Sequence, residues 1–320
     1  MRYLITGVTG FVGTHLAAEL ATHENTTDVW GLAWGNFDRP HLESVAPGIH
    51  LAEGDLVDPA SAGPILAEAR PDVIYHLAAA SSVARSWNSA ARSLEINAIG
   101  TVNLFEAILQ SALDPVVVIS STAEIYGRVA DSDGPIAETA AIAPISPYGT
   151  SKAAQDFLTA QFHEGRGLAT VRLRFFHLTG PGRPPHFVAS SFARQIARAE
   201  LGLAPPRLEV GNLEAVRDFT DVRDAARACR IAGDRRHSGQ VFHVCTGHGT
   251  AISEVVKLLL EMSRCEISVE VDGDRVRRSD IPWLVGDPSR FEAATGWRSE
   301  IPLRLTLRDL LDWWRERERA

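Results

Sequence analysis

Cysteine is scarce in this chain of 320 residues: Cys229, Cys245 and Cys265 are odd in number and widely spaced. That pattern argues against a disulfide framework, offers no metal-ligand cluster and points to a reducing compartment. Long apolar runs are also missing. No stretch reaches the ~18 residues that a membrane-spanning helix needs. The first residues lack the basic segment, apolar core and cleavage site of an export signal, so a cytoplasmic protein with no membrane partner is expected. There is no long basic run and the net charge is −8, which makes nucleic acid an unsuitable main partner. Low-complexity segments and short repeats are absent too. What remains is a chain with 45% hydrophobic residues, enough to bury one or two full cores.

The first stretch that carries chemistry is Leu4-Ile5-Thr6-Gly7-Val8-Thr9-Gly10-Phe11-Val12-Gly13. A short apolar run from Tyr3 to Ile5 meets three glycines and then the helix-like His15–Leu20. Gly7 permits a sharp turn. Gly10 leaves room for a pyrophosphate to approach the backbone, and Gly13 lets the helix pack closely on the strand. The helix start, with Phe11 and Val12, then offers free N–H groups to phosphate. The spacing is G-x-x-G-x-x-G, a loose version of the dinucleotide fingerprint.

Further strands are expected at Val29–Ala33, His50–Ala52, Val73–Leu77, Val116–Ser120 and Thr170–Phe175. Helices are expected at Pro59–Ala69, at about Ala90 to Ser111 and from Tyr148 to about Phe162. This alternation predicts an α/β fold with a Rossmann-type, doubly wound parallel sheet. Ligands in such sheets sit beyond the carboxyl ends of the strands, where Gly7–Gly13, Asp55, Ala78–Ser82 and Thr122–Glu124 all fall. Residues 1–175 form the expected dinucleotide domain, with returning segments near 213–245 and 283–288. Residues 176–320 form most of a smaller α/β substrate lobe. Within it, His177–His186 reads as a loop, Phe187–Ala199 as a helix and Leu208–Val210 as a strand. Arg217–Val222 reads as a helix start, Gln240–Val244 and Ile267–Val271 as strands, and Ile252–Met262 and Leu303–Arg317 as helices. Trp297 and the pair Trp313-Trp314 read as core packing.

Tyr148 and Lys152 lie four apart and share one helix face. The Lys152 ammonium is expected to favour the phenolate of Tyr148 and lower its pKa, readying it for proton exchange with an alcohol or ketone. Thr122, at a strand end, is placed to hydrogen-bond the same oxygen.

Taken together, the glycine turn, Thr122 and Tyr148-x-x-x-Lys152 resemble the extended short-chain dehydrogenase/reductase family, the NAD-dependent epimerases and dehydratases, over essentially the whole chain. Phe187-Val188, Ala193–Ile196, Glu209–Asp224, Val244–Gly247 and Thr295-Gly296-Trp297 are most similar to the GDP-4-keto-6-deoxymannose reductases, near relatives of the GDP-mannose 4,6-dehydratases. The resemblance implies an enzyme in which nicotinamide gives hydride to the C4 ketone of a GDP-linked 4-keto-6-deoxyhexose. Tyr148 would supply the proton, Lys152 would hold the cofactor ribose and Thr122 would orient the carbonyl. Asp55 and Leu56 would sit by the adenine, with Leu77, Ala78 and Ala79 along the cofactor. Ser82 and Val188 would lie near the substrate, Arg217 and Arg194 on its diphosphate, and Arg277 and Asp280 at the guanosine. Relatives often form homodimers through the two long helices.

Three features leave alternatives open. Glu124 stands where dehydratases carry a base, yet some reductases carry it too, so a 4,6-dehydratase or 4-epimerase that recycles its cofactor is the alternative. His177 occupies the place of a usual Asn before Gly180-Pro181-Gly182, and serves either the sugar or the structure. The second strand ends Gly31–Asn36 with neither the acid expected about 20 residues on for NAD nor an Arg for NADP. NADP(H), reached by Asn36 or Arg39, and NAD(H) both stand. A regulator that binds dinucleotide without turnover would have little need for Thr122, Tyr148 and Lys152 together.

Overall fold

A computed structural model describes residues 1–319 except 25, 36, 130–133 and 274–280. Along the chain the elements are β1 (Arg2–Thr6), α1 (Phe11–Ala21), β2 (Asp28–Ala33), α2 (Arg39–Val45), β3 (His50–Glu53), α3 (Ala62–Ala69), β4 (Val73–His76), α4 (Val83–Ser86), α5 (Ala90–Leu94), α6 (Gly100–Gln110), β5 (Val116–Thr122), α7 (Pro147–Arg166) and β6 (Ala169–Phe175). The second half adds β7 (His177–Thr179), α8 (Val188–Glu200), β8 (Arg207–Val210), β9 (Val216–Asp221), α9 (Val222–Ala232), β10 (Val241–Val244), β11 (Gly249–Ala251), α10 (Ile252–Glu261), β12 (Ser268–Val271), β13 (Trp283–Leu284), α11 (Ser289–Thr295) and α12 (Leu303–Arg317).

Seven strands form one sheet in the order β10-β6-β5-β4-β1-β2-β3, every pair parallel. Strands covered on both faces read as continuous apolar runs, and Val116-Val117-Val118-Ile119 at the centre is fully consistent with that. Leu16, Leu20, Ala225 and Cys229 from α1 and α9 pack on one face. Ile65, Leu66, Leu104 and Phe105 from α3 and α6 pack on the other. This is the doubly wound Rossmann-type sheet expected. The order turns back at β1, which lies between β2 and β4, and ligands of such sheets bind in the crevice there.

A second core joins Phe192 and Ile196 of α8, Val255 and Leu259 of α10, and Leu307, Leu311 and Trp314 of α12. Beside it β9 is flanked by β11 and β13 and also pairs with β7, while β8 pairs with β12. Thus β10 extends the large sheet, whereas β9 and β13 belong to the smaller one. Trp297 and Trp314 are buried, as expected for core residues.

Four segments differ from the sequence expectation. The long helix over 90–111 is broken by a π-helical turn at Glu95–Ile99. The helix expected from Pro59 starts only at Ala62. The run from His177 opens with strand β7 rather than loop, because its backbone pairs with Phe219–Asp221. Arg217–Asp221 is strand, not helix. The helix starts at Val222, where the Asp221 carboxylate accepts from Arg223 N–H at 2.8 Å as an N-cap. Arg217 and Asp218 are polar yet buried in a strand whose neighbours come from distant parts of the chain, so local pattern could not reveal it.

Candidate active site

A cavity of about 660 Å³ opens beyond the carboxyl ends of β1, β4 and β5 and continues under α8 and β9. The glycine turn forms one end. Gly7 has φ +71°, and a Cβ there would lie 2.7 Å from Ala78 N. A Cβ on Gly13 would meet the Gly7 carbonyl oxygen at 2.3 Å and Val8 Cα at 2.8 Å, so only glycine allows α1 this close. Gly10 is exposed and N-caps α1 with no side-chain bond, leaving the start of an 11-residue helix facing the cavity with Phe11 and Val12.

Arg183, which follows Gly180-Pro181-Gly182, stands opposite. Its guanidinium lies 4.8 Å from the ring centre of Phe11 and 3.4 Å from that of Phe187. Its Nε is buried without a hydrogen-bond partner, and burial brings its pKa down to about 9. A half-buried guanidinium whose Nε has no partner, a helix start and a glycine cradle together fit an anionic diphosphate, the group a dinucleotide brings. Sequence reasoning missed Arg183. Its only signal was its position after the Gly-Pro-Gly run, which read as loop.

The middle of the cavity holds Thr122, Glu124, Tyr148 and Lys152. Thr122 ends β5, and its hydroxyl accepts from Glu124 N–H at 3.3 Å. Ser146 caps α7 by accepting from Gly149 N–H, and Pro147 occupies the first turn, so Tyr148 and Lys152 project from a well-started helix. Ser86 Oγ accepts from Tyr148 N–H at 3.1 Å and braces it from α4. Lys152 Nζ donates to the Ser120 carbonyl and to Gln155 Oε1. Burial lowers the Lys152 pKa to about 7, opposed by Asp156.

The expected lowering of Tyr148 is not found. Burial, reinforced by the Glu124 charge, pushes the phenol up to about 12 against a hydrogen bond with Thr122 and the Arg183 charge. Desolvation outweighs the favourable charges because the phenol is buried in the cavity wall. Tyr148 therefore keeps its proton at neutral pH, which suits a proton donor.

Asn97 is a second residue that the sequence did not single out. The π turn buries it, with Oδ1 accepting from Ala80 N–H at 2.8 Å. Its Nδ2 donates to Ala80 O at 3.1 Å and to Ser151 Oγ at 2.8 Å. Asn97 thus ties the segment after β4 to the helix of Tyr148 and Lys152. An Asn inside a helix pattern gave no signal of this, since a π turn shifts which face a residue occupies.

A profile of the family described as GDP-mannose 4,6 dehydratase matches residues 4–310. The GDP-6-deoxy-D-mannose reductase of Pseudomonas aeruginosa is 34% identical over 318 residues, covering 99% of this chain and 98% of the relative. The chain belongs to the GDP-mannose 4,6-dehydratase family. Two solved structures extend the likeness to the whole fold. RMD from Pseudomonas aeruginosa, complexed with NADPH, aligns with a TM-score of 0.85 at 34% identity over 99% of this chain and all of that one. UDP-glucose 4-epimerase of Thermus thermophilus, in complex with NAD, aligns with a TM-score of 0.87 at 29% identity over 98% of this chain and 99% of that one. The family thus spans dehydratase and reductase, and both dinucleotides occur among its structural neighbours.

The other residues singled out in the sequence divide clearly. Leu77, Ala79, Ser82, His177, Val188 and Arg217 line the cavity. His177 stacks edge-on with Phe219, 5.8 Å between ring centres. Arg217 is buried and donates to the Val216 carbonyl at 2.9 Å. Asp55, Leu56 and Ala78 lie outside the cavity wall. Asp55 is ion-paired with Arg92 at 3.1 Å and Leu56 is buried. Arg194 is not at the main cavity but at a separate one of about 480 Å³. The reason is Glu318, which takes Arg194 at 2.6 Å and Arg198 at 2.7 Å. Arg39 pairs with Glu43 on the surface at 3.4 Å. Asn36, Arg277 and Asp280 lie outside the described residues. Among those described, no group of His, Cys, Asp and Glu could hold a metal ion, and no helix is long and apolar enough to cross a membrane.

Proposed function

We propose that this protein is a nucleotide-sugar reductase, converting GDP-4-keto-6-deoxymannose to a GDP-6-deoxyhexose with NAD(P)H. The observation that carries this reading is the placement of Tyr148, hydrogen-bonded to Thr122, in one cavity with Lys152 and the glycine turn. Bound reduced nicotinamide supplies the hydride. Tyr148 delivers its proton to the C4 oxygen, and Thr122 orients that oxygen. Lys152 faces the cofactor ribose. The turn Gly7, Gly10, Phe11, Val12 and Gly13, with Leu77 and Ala79, holds the dinucleotide, and Arg183 meets its diphosphate. Ser82, His177 and Val188 take the sugar side, and the buried Arg217 guanidinium the substrate diphosphate. Residues 1–175 carry most of the cofactor contacts and 176–320 most of the substrate contacts. NADPH is the preferred reading of the cofactor, since the end of β2, Gly31–Asn36, carries no acid to repel a 2′-phosphate; the first acid after it, Asp38, is engaged as the N-cap of α2.

The enzyme acts in the cytoplasm as a homodimer. Leu94, Ile99 and Phe157 are 40%, 50% and 52% exposed on adjoining helices, an apolar face suited to a second copy.

Glu124 in the same cavity supports a second reading, a 4,6-dehydratase or 4-epimerase in which this carboxylate takes a proton from carbon and the cofactor is recycled. The deciding experiment gives purified protein GDP-4-keto-6-deoxymannose with NADPH or NADH and identifies the product. Stoichiometric loss of reduced cofactor with a GDP-deoxyhexose establishes the reductase. Conversion of GDP-mannose to its 4-keto-6-deoxy form without added reductant, and no oxidation in the first assay, overturns it in favour of the dehydratase.

A further inference from the structure

Lys152 stands at one end of a buried hydrogen-bonded chain that leads away from the cavity. Gln155, whose Oε1 accepts from Lys152 Nζ, donates from Nε2 to Thr101 Oγ1 at 2.8 Å. Thr101 Oγ1 lies 2.9 Å from His76 Nε2, and His76 Nδ1 lies 2.7 Å from Thr6 Oγ1. Thr6 Oγ1 accepts from Ala78 N–H at 3.3 Å, next to the glycine turn. All five side chains are at most 1% exposed.

The direction of every bond in the chain is determined. A threonine hydroxyl has one hydrogen, and that of Thr101 goes to the Asn97 carbonyl at 2.7 Å. Thr101 therefore accepts from both Gln155 and His76. The imidazole donates from Nε2 and accepts at Nδ1 from Thr6. Burial, with the Lys152 charge, drives the His76 pKa down to about 3, so the neutral ring this pattern needs is the one present. Gln155 then has one orientation. Turned over, it would set its NH₂ against the ammonium and its oxygen against an oxygen that has no hydrogen to give. Ser120 and Gln155 account for two of the three Lys152 N–H groups, and the third is left for the cavity that Lys152 lines. Gln155, Thr101 and His76 do not line that cavity, so the proposed reaction gives them no direct part.

We propose that Gln155, held in one orientation by Thr101 and His76, is a positioning residue that aims the remaining N–H of Lys152 into the cavity and ties it to the glycine turn through Thr6. This rests on Lys152 belonging to the proposed site. Among the described residues, the titratable groups that interact with the Lys152 charge are Asp156 on its own helix and His76 from β4, and Tyr148 lies one turn before it on the same helix. Asp156 is itself paired with Arg172 and Arg174 at 3.2 and 2.8 Å.

The chain contains only two lysines, Lys152 and Lys257. Protein labelled with ¹³C at lysine Cε therefore gives two signals, which Lys257→Arg assigns. The Lys152 signal is titrated with and without NADPH in wild type, Thr101→Val, Thr101→Ser and Gln155→Glu. Thr101→Val frees Gln155 to turn and lowers the midpoint by about half a pH unit or more, while Gln155→Glu sets a carboxylate on the ammonium and raises it by about one unit or more. Thr101→Ser keeps the hydroxyl and the wild-type midpoint. Turnover of Thr101→Val with GDP-4-keto-6-deoxymannose falls about tenfold in kcat, with KM within about twofold. A midpoint unmoved in both Thr101→Val and Gln155→Glu overturns the proposal, even if activity falls. If melting curves show that Thr101→Val does not fold, Gln155→Glu, of nearly the same size, decides alone. If wild type does not oxidise NADPH with this substrate, the proposed reaction fails while the titration still judges the positioning.

Discussion

Tyr148 is the residue on which the proposed reaction turns. Its phenol is buried and held protonated up to about pH 12, so the proton stays available across the physiological range. Tyr148→Phe should lower kcat by about 10²–10⁴, the usual worth of a positioned acid. Dinucleotide affinity should change little, because the ring and the helix start remain. A fully active variant would show that another group donates. Gly13 is the matching test for the cofactor end. A Cβ at 2.3 Å from the Gly7 carbonyl oxygen cannot be absorbed by a side-chain movement, whereas a Cβ on Gly10 meets the same oxygen at 3.1 Å. Gly13→Ala should cost about 1–3 kcal/mol or more in stability and weaken NADPH binding clearly more than Gly10→Ala. Thermal melting and fluorescence titration with NADPH would check both. Equal effects in the two variants would mean that α1 is less tightly seated than the structure shows.

Among the elements, β9 carries the greatest demand. Asp218 on this strand is fully buried and accepts from Thr246 N–H at 2.8 Å, Thr246 Oγ1 at 2.7 Å and Gly247 N–H at 2.9 Å. It thereby pins the loop after β10 to the strand that brings Arg217 into the cavity. Burial raises its pKa despite these bonds, yet truncation is the worse outcome because several donors would be left dry. Asp218→Ala should lose about 3 kcal/mol in urea unfolding, with Asp218→Asn losing less. The same strand shows why local pattern misled. Arg217-Asp218-Phe219-Thr220-Asp221 contains two acids and an arginine, so it reads as exposed and helix-starting. Instead Asp218 and Asp221 are buried against Thr246 and Thr306 from other elements, and Arg217 is buried with a bond to the Val216 carbonyl of its own strand. The π turn of Glu95–Ile99 is a parallel case, since one extra residue in a helical turn leaves the hydrophobic pattern on either side intact.

For the whole molecule, two features set stability and assembly. Asp156 on α7 is buried between Arg174 and Arg172 of β6 and accepts from Ser121 of β5 at 2.7 Å. Burial alone would raise its carboxyl, but the Arg174 hydrogen bonds and charge, with Ser121 and Arg172, hold it below its usual value. The folded state then binds fewer protons than the unfolded one around that pKa. The stabilisation is complete above the ordinary carboxylate range and is lost as pH falls through and below it. Urea midpoints of wild type should therefore decline below about pH 4. Asp156→Asn should be weaker at neutral pH by about 3–5 kcal/mol, because Arg174 is left without its counter-charge. It should also decline less with acid, and equal slopes in wild type and variant would rule out this pair as the acid-sensitive contact. At the level of assembly, Phe157→Glu should shift the sedimenting species from twice 34.8 kDa to 34.8 kDa without loss of helical signal. A wild-type protein that already sediments as a monomer would remove the proposed dimer.

What the sequence determined by itself was the alternation of strand and helix, the glycine turn and the Tyr148–Lys152 helix face. These depend on contacts a few residues apart, where apolar period and glycine spacing are direct consequences of backbone geometry. The meeting of the glycine turn, Ser82, Thr122 and Glu124 at one cavity followed from strand ends in a parallel sheet and was legible too, although Asp55 and Ala78, read the same way, lie outside the cavity wall. Only the tertiary structure decided the rest. It placed Arg183 between Phe11 and Phe187, turned Arg194 to Glu318, made β9 a strand and raised rather than lowered the Tyr148 phenol. In each case the deciding quantity is burial, or a partner remote in the chain, and neither is written in the local order of the residues.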